Sequence, residues 1–92
     1  MIMGWLKVCV APEVFTSRAD DVLMQREKEY LAKLQRSGEI FLSAPLADGT
    51  AGLVVYDVQS LKEAQVLVEE QPMVRAGLLS VDLHEIFSVT YG

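Results

Sequence analysis

The sequence predicts a small α+β domain whose elements run β-α-β-β-α-β. Two stretches place apolar residues at helical spacing, each with a start and a stop signal. Four others are short, rich in branched and aromatic residues, and alternate with period two. Their order along the chain is strand, helix, strand, strand, helix, strand. Right-handed crossovers then set both helices on one face of a four-stranded antiparallel sheet, the ferredoxin-like split βαβ arrangement. The whole chain, 1–92, makes one such domain.

Trp5 to Ala11 reads as the first strand, with Leu6, Val8 and Val10 on one face and Pro12 ending it. Glu13 to Thr16 reads as a loop. Ser17 is the expected cap of the first helix, with Asp20 at its third position. That helix runs to Ser37, and Gly38 is its stop. Glu39 to Ala44 is the second strand, closed by Pro45. The loop from Leu46 to Ala51 holds the turn signal Asp48-Gly49 and is longer than a tight hairpin. Leu53 to Val58 is the third strand. Ser60 and Glu63 form a capping box at the second helix, which Gln71-Pro72 ends. Leu78 to Val89 is the last strand, with Leu79, Val81 and Leu83 facing one way and Ser80, Asp82 and His84 the other.

The first and third strands carry apolar residues on both faces, Trp5 and Cys9 against Val8 and Val10, and Val54 and Tyr56 against Leu53 and Val55. One face meets the helices. The other needs a cover, and a second copy of the chain is the simplest one, so the expected assembly is a homodimer, with room for further association. The net charge of −5 argues against a nucleic-acid partner. No apolar run reaches the length of a membrane span, and Met1 to Trp5 is too short for a signal peptide, so the expected location is the cytoplasm. A single cysteine, Cys9, and a single histidine, His84, provide no side-chain set for a metal, and no cofactor motif is present. Cys9 reads as a small core residue.

The functional clue lies in the first helix. At 100° per residue, Ala19, Leu23, Tyr30 and Leu34 form one apolar stripe, and Glu27 falls in its middle. Its neighbours one turn away are Leu23 and Leu31, so no i,i+4 ion pair accounts for it. A carboxylate aimed at a core costs free energy unless something satisfies it. Either Glu27 is a general base facing a ligand, or a partner from elsewhere in the fold holds it. Tyr30, on the same face, is a hydrogen-bond donor for a ligand or a core tyrosine with its hydroxyl satisfied. Ser43, Gln71 and His84 complete the set of candidate ligand contacts.

The stretch GEIFLSAPLADGTAGLVVYDVQSLKEAQVLVEEQPMVRAGL resembles the YCII-related proteins, through its Pro-Leu-x-Asp-Gly loop, its Ser-x-x-Glu-Ala helix start and its Ala-Gly-Leu. EKEYLAKLQRSG followed by VYDVQS is similar to the muconolactone isomerases. The resemblance spans about Arg26 to Phe87. It implies a dimeric α+β barrel, in which two ferredoxin-like sheets face each other. The YCII resemblance also implies a His-Asp dyad, and here the two positions hold Glu27 and Gln71. The isomerase resemblance implies a glutamate at Glu27 but also arginines and a tryptophan on the second strand, where this chain has Phe41, Ala44 and Pro45. Two functions follow as expectations. One is a cofactor-independent isomerase or lyase that moves a proton on a cyclic or aromatic-derived metabolite, with Glu27 as base. The other is a non-catalytic binding or accessory protein that has lost the dyad.

Overall fold

The computed structural model describes residues 1–47 and 49–87. Eight elements follow in chain order: β1 (Ile2–Val8), α1 (Pro12–Arg18), α2 (Asp21–Ser37), β2 (Ile40–Pro45), β3 (Ala51–Tyr56), α3 (Leu61–Glu70), α4 (Pro72–Arg75) and β4 (Leu79–Glu85). The four strands make one antiparallel sheet in the order β2-β3-β1-β4. This is the expected ferredoxin-like α+β arrangement, with two short helices added to the predicted pair.

Those additions correct the sequence reading. Residues read as a loop after Pro12 form α1, because proline fits the first helical turn, where its missing N–H goes unused. The second helix start is then not Ser17 but Asp20, whose carboxylate accepts the backbone N–H of Leu23 at 2.8 Å. Ala19 lies outside α2, at the end of α1. Gly38 closes α2 in the left-handed conformation, φ 82°, which a side chain disfavours. The connection after α3 folds into α4, a single turn too short to leave a periodic pattern. The capping box at α3 is present: Ser60 accepts from the N–H of Glu63, and Glu63 reaches back to the N–H of Gln59.

β1 begins at Ile2, three residues before the expected start, and ends at Val8. Gly4 lies inside it, a residue depleted in strands. Here the missing side chain has a use. A Cβ at Gly4 would stand 3.0 Å from the ring of Tyr56 and 3.0 Å from Val81 Cγ1. The tyrosine ring fills that space and is 1% exposed. β4 ends at Glu85, short of the expected end: Ile86 and Phe87 are not in the strand, and Ser88 and Val89 lie outside the described residues. Cys9 is exposed rather than in the core, its Sγ–H donating to the Gly77 carbonyl at 3.3 Å.

The core lies between the sheet and the helices. Ile2, Ile40, Val54 and Tyr56 from the sheet pack with Leu34 of α2 and with Ala64 and Val68 of α3. The opposite sheet face carries Met3, Trp5, Leu42, Leu53 and Val55, with Lys7, Ser80, Asp82 and His84 toward one edge. Among the described residues, no helix is long and apolar enough to cross a membrane.

The two competing helix starts give a direct test. Asp20→Ala removes the observed cap and should lower stability by about 1 kcal/mol in urea unfolding, whereas Ser17→Ala should change it by no more than a few tenths. The reverse ranking would restore Ser17 as the cap.

Candidate functional site

Glu27 is 8% exposed, on the face of α2 turned toward α4. Its partner is Gln71, 44 residues further along the chain and 1% exposed. The Nε2 of Gln71 donates to Oε2 of Glu27 at 2.5 Å. The other oxygen, Oε1, accepts the backbone N–H of Met73 at 3.1 Å. Both carboxylate oxygens are therefore engaged. Gln71 is the residue that caps α4, yet its side chain makes no cap bond to that helix. Instead Glu27, arriving from α2, satisfies the N–H of Met73, and Gln71 grips the acid that does so. The carboxylate of Glu27 is thus held by partners from elsewhere in the fold.

Tyr30 stands one turn along α2. Its hydroxyl donates to the Leu67 carbonyl of α3 at 2.5 Å, so its single proton ties two helices together. Burial, followed by the negative charges of Glu70, Glu39 and Glu27, pushes its pKa up to about 12. Tyr56 is likewise pushed up to about 12, by burial first, then by Tyr30 and Glu27. The buried Tyr56 and Glu27 and the half-buried Tyr30 thus stand close together, and the charge of Glu27 is felt at both hydroxyls.

Beside this cluster lies a cavity of about 290 Å³ between the helices and the sheet. Leu6, Val8 and Leu79 contribute its sheet wall, and Phe15, Leu31 and Met73 come from α1, α2 and α4. Ser43, Pro45, Gly49 and Thr50 line it from the β2–β3 side. Among the described residues, its only side-chain hydroxyls are those of Ser43 and Thr50, and no lysine or arginine lines it. Ser43 reaches it through a bulge. Ile40 pairs with Tyr56 on the core face, and plain alternation would turn Ser43 away. The register shift between Ile40 and Leu42 brings Ser43 opposite Val54, back on the helix side.

The candidate residues therefore divide. Glu27 and Gln71 are buried together with the half-buried Tyr30 beside them, Ser43 lines the cavity, and His84 is apart from both. His84 is exposed on the face away from the helices, beside a more open hollow of about 430 Å³ with Asp82, Gln65 and Glu69 at the β4 edge. Sequence reasoning missed Leu31 and Met73, which join the acid to the cavity wall. Leu31 was visible as the i+4 neighbour of Glu27. Among the described residues, no three histidine, cysteine, aspartate or glutamate side chains converge as a metal site.

The model of the YCII-related domain matches residues 3–86. No curated protein matches the chain. Among solved structures, the chain is similar to 5-chloro-2-hydroxyhydroquinone dehydrochlorinase (TftG) from Burkholderia phenoliruptrix AC1100, in complex with 2,5-dihydroxybenzoquinone. The identity is 18% and the TM-score 0.65, with 95% of this chain and 94% of that chain covered, a likeness of fold.

The raised tyrosines predict an alkaline weakness. Each keeps its proton in the folded state above its ordinary value of about 10, so between pH 10 and about 12 the native state binds more protons than the unfolded one. The stability they contribute is complete below pH 10 and is lost as pH rises through 12. Urea unfolding at steps across that window should show the decline, and Tyr56→Phe should make it shallower. An unchanged slope in Tyr56→Phe would show that Tyr56 is not part of it.

Proposed function

We propose that this chain, which belongs to the YCII-related domain family, binds a small, neutral, cyclic molecule in the cavity between its helices and its sheet. The observation that carries this reading is the cavity itself. Its volume of about 290 Å³ is at the lower end of ligand pockets, which run from about 300 to 1,000 Å³. It is roughly twice the ~150 Å³ apolar void that accepts benzene, so one substituted ring or a compact bicycle fits. Apolar walls with two hydroxyls suit a ring bearing one or two polar substituents. Among the described residues no cationic side chain lines the cavity, and this, together with the acid behind the Met73 wall, disfavours an anion. The TftG complex with 2,5-dihydroxybenzoquinone, on the same fold, supports a ring-sized ligand.

The binding reading ranks ahead of a catalytic one because of Gln71. A His-Asp dyad holds two titrating groups; an amide does not titrate, so Glu27 is the only proton acceptor of this pair. A second reading keeps Glu27 as a base. It is favoured by one fact: each oxygen of Glu27 has one donor and a further lone pair, and its i+4 neighbour Leu31 lines the cavity. In that reading the carboxylate takes a proton from a carbon next to a carbonyl and returns it elsewhere on the ring, a cofactor-independent isomerisation.

Thermal shift with neutral phenols and quinones, and benzoate as the anionic control, tests the binding reading. A ligand that binds only the folded state raises Tm. The neutral rings should raise it and benzoate should not; a flat response to all of them would overturn the reading. Deuterium uptake from solvent into a bound cyclic enone, lost in Glu27→Gln at saturating ligand, would instead favour the base.

The uncovered sheet face leads to a homodimer as the proposed assembly. Met3, Trp5, Leu42 and Leu53 are half-buried there, and Val55 is shielded by its cross-strand partners Met3 and Leu42. A second copy laid on this face would complete the apolar layer. Sedimentation at micromolar concentration should give a dimer that Trp5→Glu converts to a folded monomer. A well-folded wild-type monomer would overturn it.

A further inference from the structure

We infer that Glu27 and Gln71 are positioning residues that set the size of the cavity through Met73, and so select the ligand by its bulk. This inference rests on the binding reading above. Neither residue lines the cavity, but Glu27 is one hydrogen bond from Met73, which does, and Gln71 holds Glu27. Glu27 holds the N–H of Met73, and its i+4 neighbour is Leu31; the side chains of Leu31 and Met73 are both in the wall. Gln71 directly precedes α4 and fixes the second oxygen of the acid.

The short helix depends on this anchor. One turn of four residues has no stability of its own, because nucleation fixes several dihedrals for one hydrogen bond. Pro72 removes one of its first N–H groups, and Met73 carries the next, which Glu27 satisfies. α2, by contrast, is long, capped at both ends and packed into the core. Glu27 therefore refers the position of Met73 to a rigid element. The distance between the Leu31 and Met73 walls is set by a carboxylate and two hydrogen bonds rather than by side-chain packing alone. A polar lock of this kind is more exacting than apolar contact, since misplacement leaves a buried donor or acceptor unpaired.

The lock has a polarity that can be reversed. In Glu27→Gln the amide oxygen can still accept from Met73, and Gln71 can turn its own amide over to accept from the new amide nitrogen, so the decisive single variant is Glu27→Leu, which leaves both the N–H of Met73 and the amide of Gln71 without their acceptor. In Gln71→Glu two carboxylates face each other. In Glu27→Gln/Gln71→Glu the amide at position 27 accepts from Met73 as before and donates to the acid at position 71, so both bonds are restored and only the one between positions 27 and 71 is inverted. Two readouts are needed. The first is hydrogen exchange at the Met73 amide in the unliganded protein, which needs no ligand. The second is the affinity for phenol, indole and 1-naphthol, followed by NMR.

We expect Glu27→Leu and Gln71→Glu each to speed Met73 exchange by about tenfold or more and to weaken indole by a similar factor, with 1-naphthol affected least as the wall loosens. The double variant should return both to within about threefold of the wild type. Single variants that fail to fold beside a double variant that folds and binds would support the lock equally. Unchanged Met73 exchange in the single variants, or a folded double variant that recovers neither readout, would overturn it. Altered exchange with no binding of any probe by the wild type would refute the ligand reading and the size selection built on it, leaving a lock without a ligand.

Discussion

The rest of the molecule is arranged around one buried carboxylate and the two donors that hold it. Taking an ionised group out of water costs several kcal/mol even after relaxation, and only well-placed partners offset this. Glu27 has an amide and a backbone N–H, one on each oxygen. These two bonds link α2 to the connection between α3 and α4, segments far apart in sequence. Tyr30 adds a third link from α2, to the Leu67 carbonyl of α3. The helices are therefore joined by polar bonds inside an otherwise apolar layer, and the cavity lies at the edge of that network.

Such a network is weak evidence for stability. Replacing a buried charged pair with apolar residues of similar volume is often neutral or stabilising, while removing one partner alone is costly. Leucines at positions 27 and 71 would fill the same space, leaving the N–H of Met73 as the one unpaired group. What hydrophobic residues would not supply is direction. A carboxylate accepts along fixed lines, so it sets where α4 sits relative to α2. Direction is thus a reason for an acid in the stripe that does not require it to react.

Much of this was legible in the sequence, and the gaps have physical causes. The α+β class and the sheet face of β4 followed from periodicity, which reports burial directly. Glu27 stood out because a charge on an apolar stripe breaks the pattern. Its partners did not stand out, because a hydrogen bond spanning 44 residues leaves no local trace. Gln71 was singled out only through the resemblance to the YCII-related proteins. The early start of β1 was hidden by Gly4, whose cost in a strand is offset by the ring of Tyr56 packed against it. Asp20 was placed three residues inside a helix that it in fact caps, because Ser17 offered an equally good signal nearby. The orientation of Ser43 was beyond reach: a bulge changes which face a residue takes, and nothing in the run Ile40 to Pro45 announces it.

The two positions that the family resemblance marks as a His-Asp pair do meet in space, and that bears on what the chain can do. A histidine on the helix with an aspartate at position 71 would place the donor on α2 and the acceptor beside α4. In this chain the acceptor is on α2 and the donor is Gln71, so the hydrogen bond runs the other way. The reversal keeps the mechanical link and alters the chemistry. Imidazole can give up a proton and take it back near neutral pH, whereas an amide can do neither. The inverted pair therefore preserves the geometry that holds α4 against α2 while leaving one proton acceptor in place of a two-site relay. The link that this pair keeps is the one the proposed size selection needs, and the relay it lacks is one that binding does not use. Any chemistry that remains would have to begin and end on the same carboxylate.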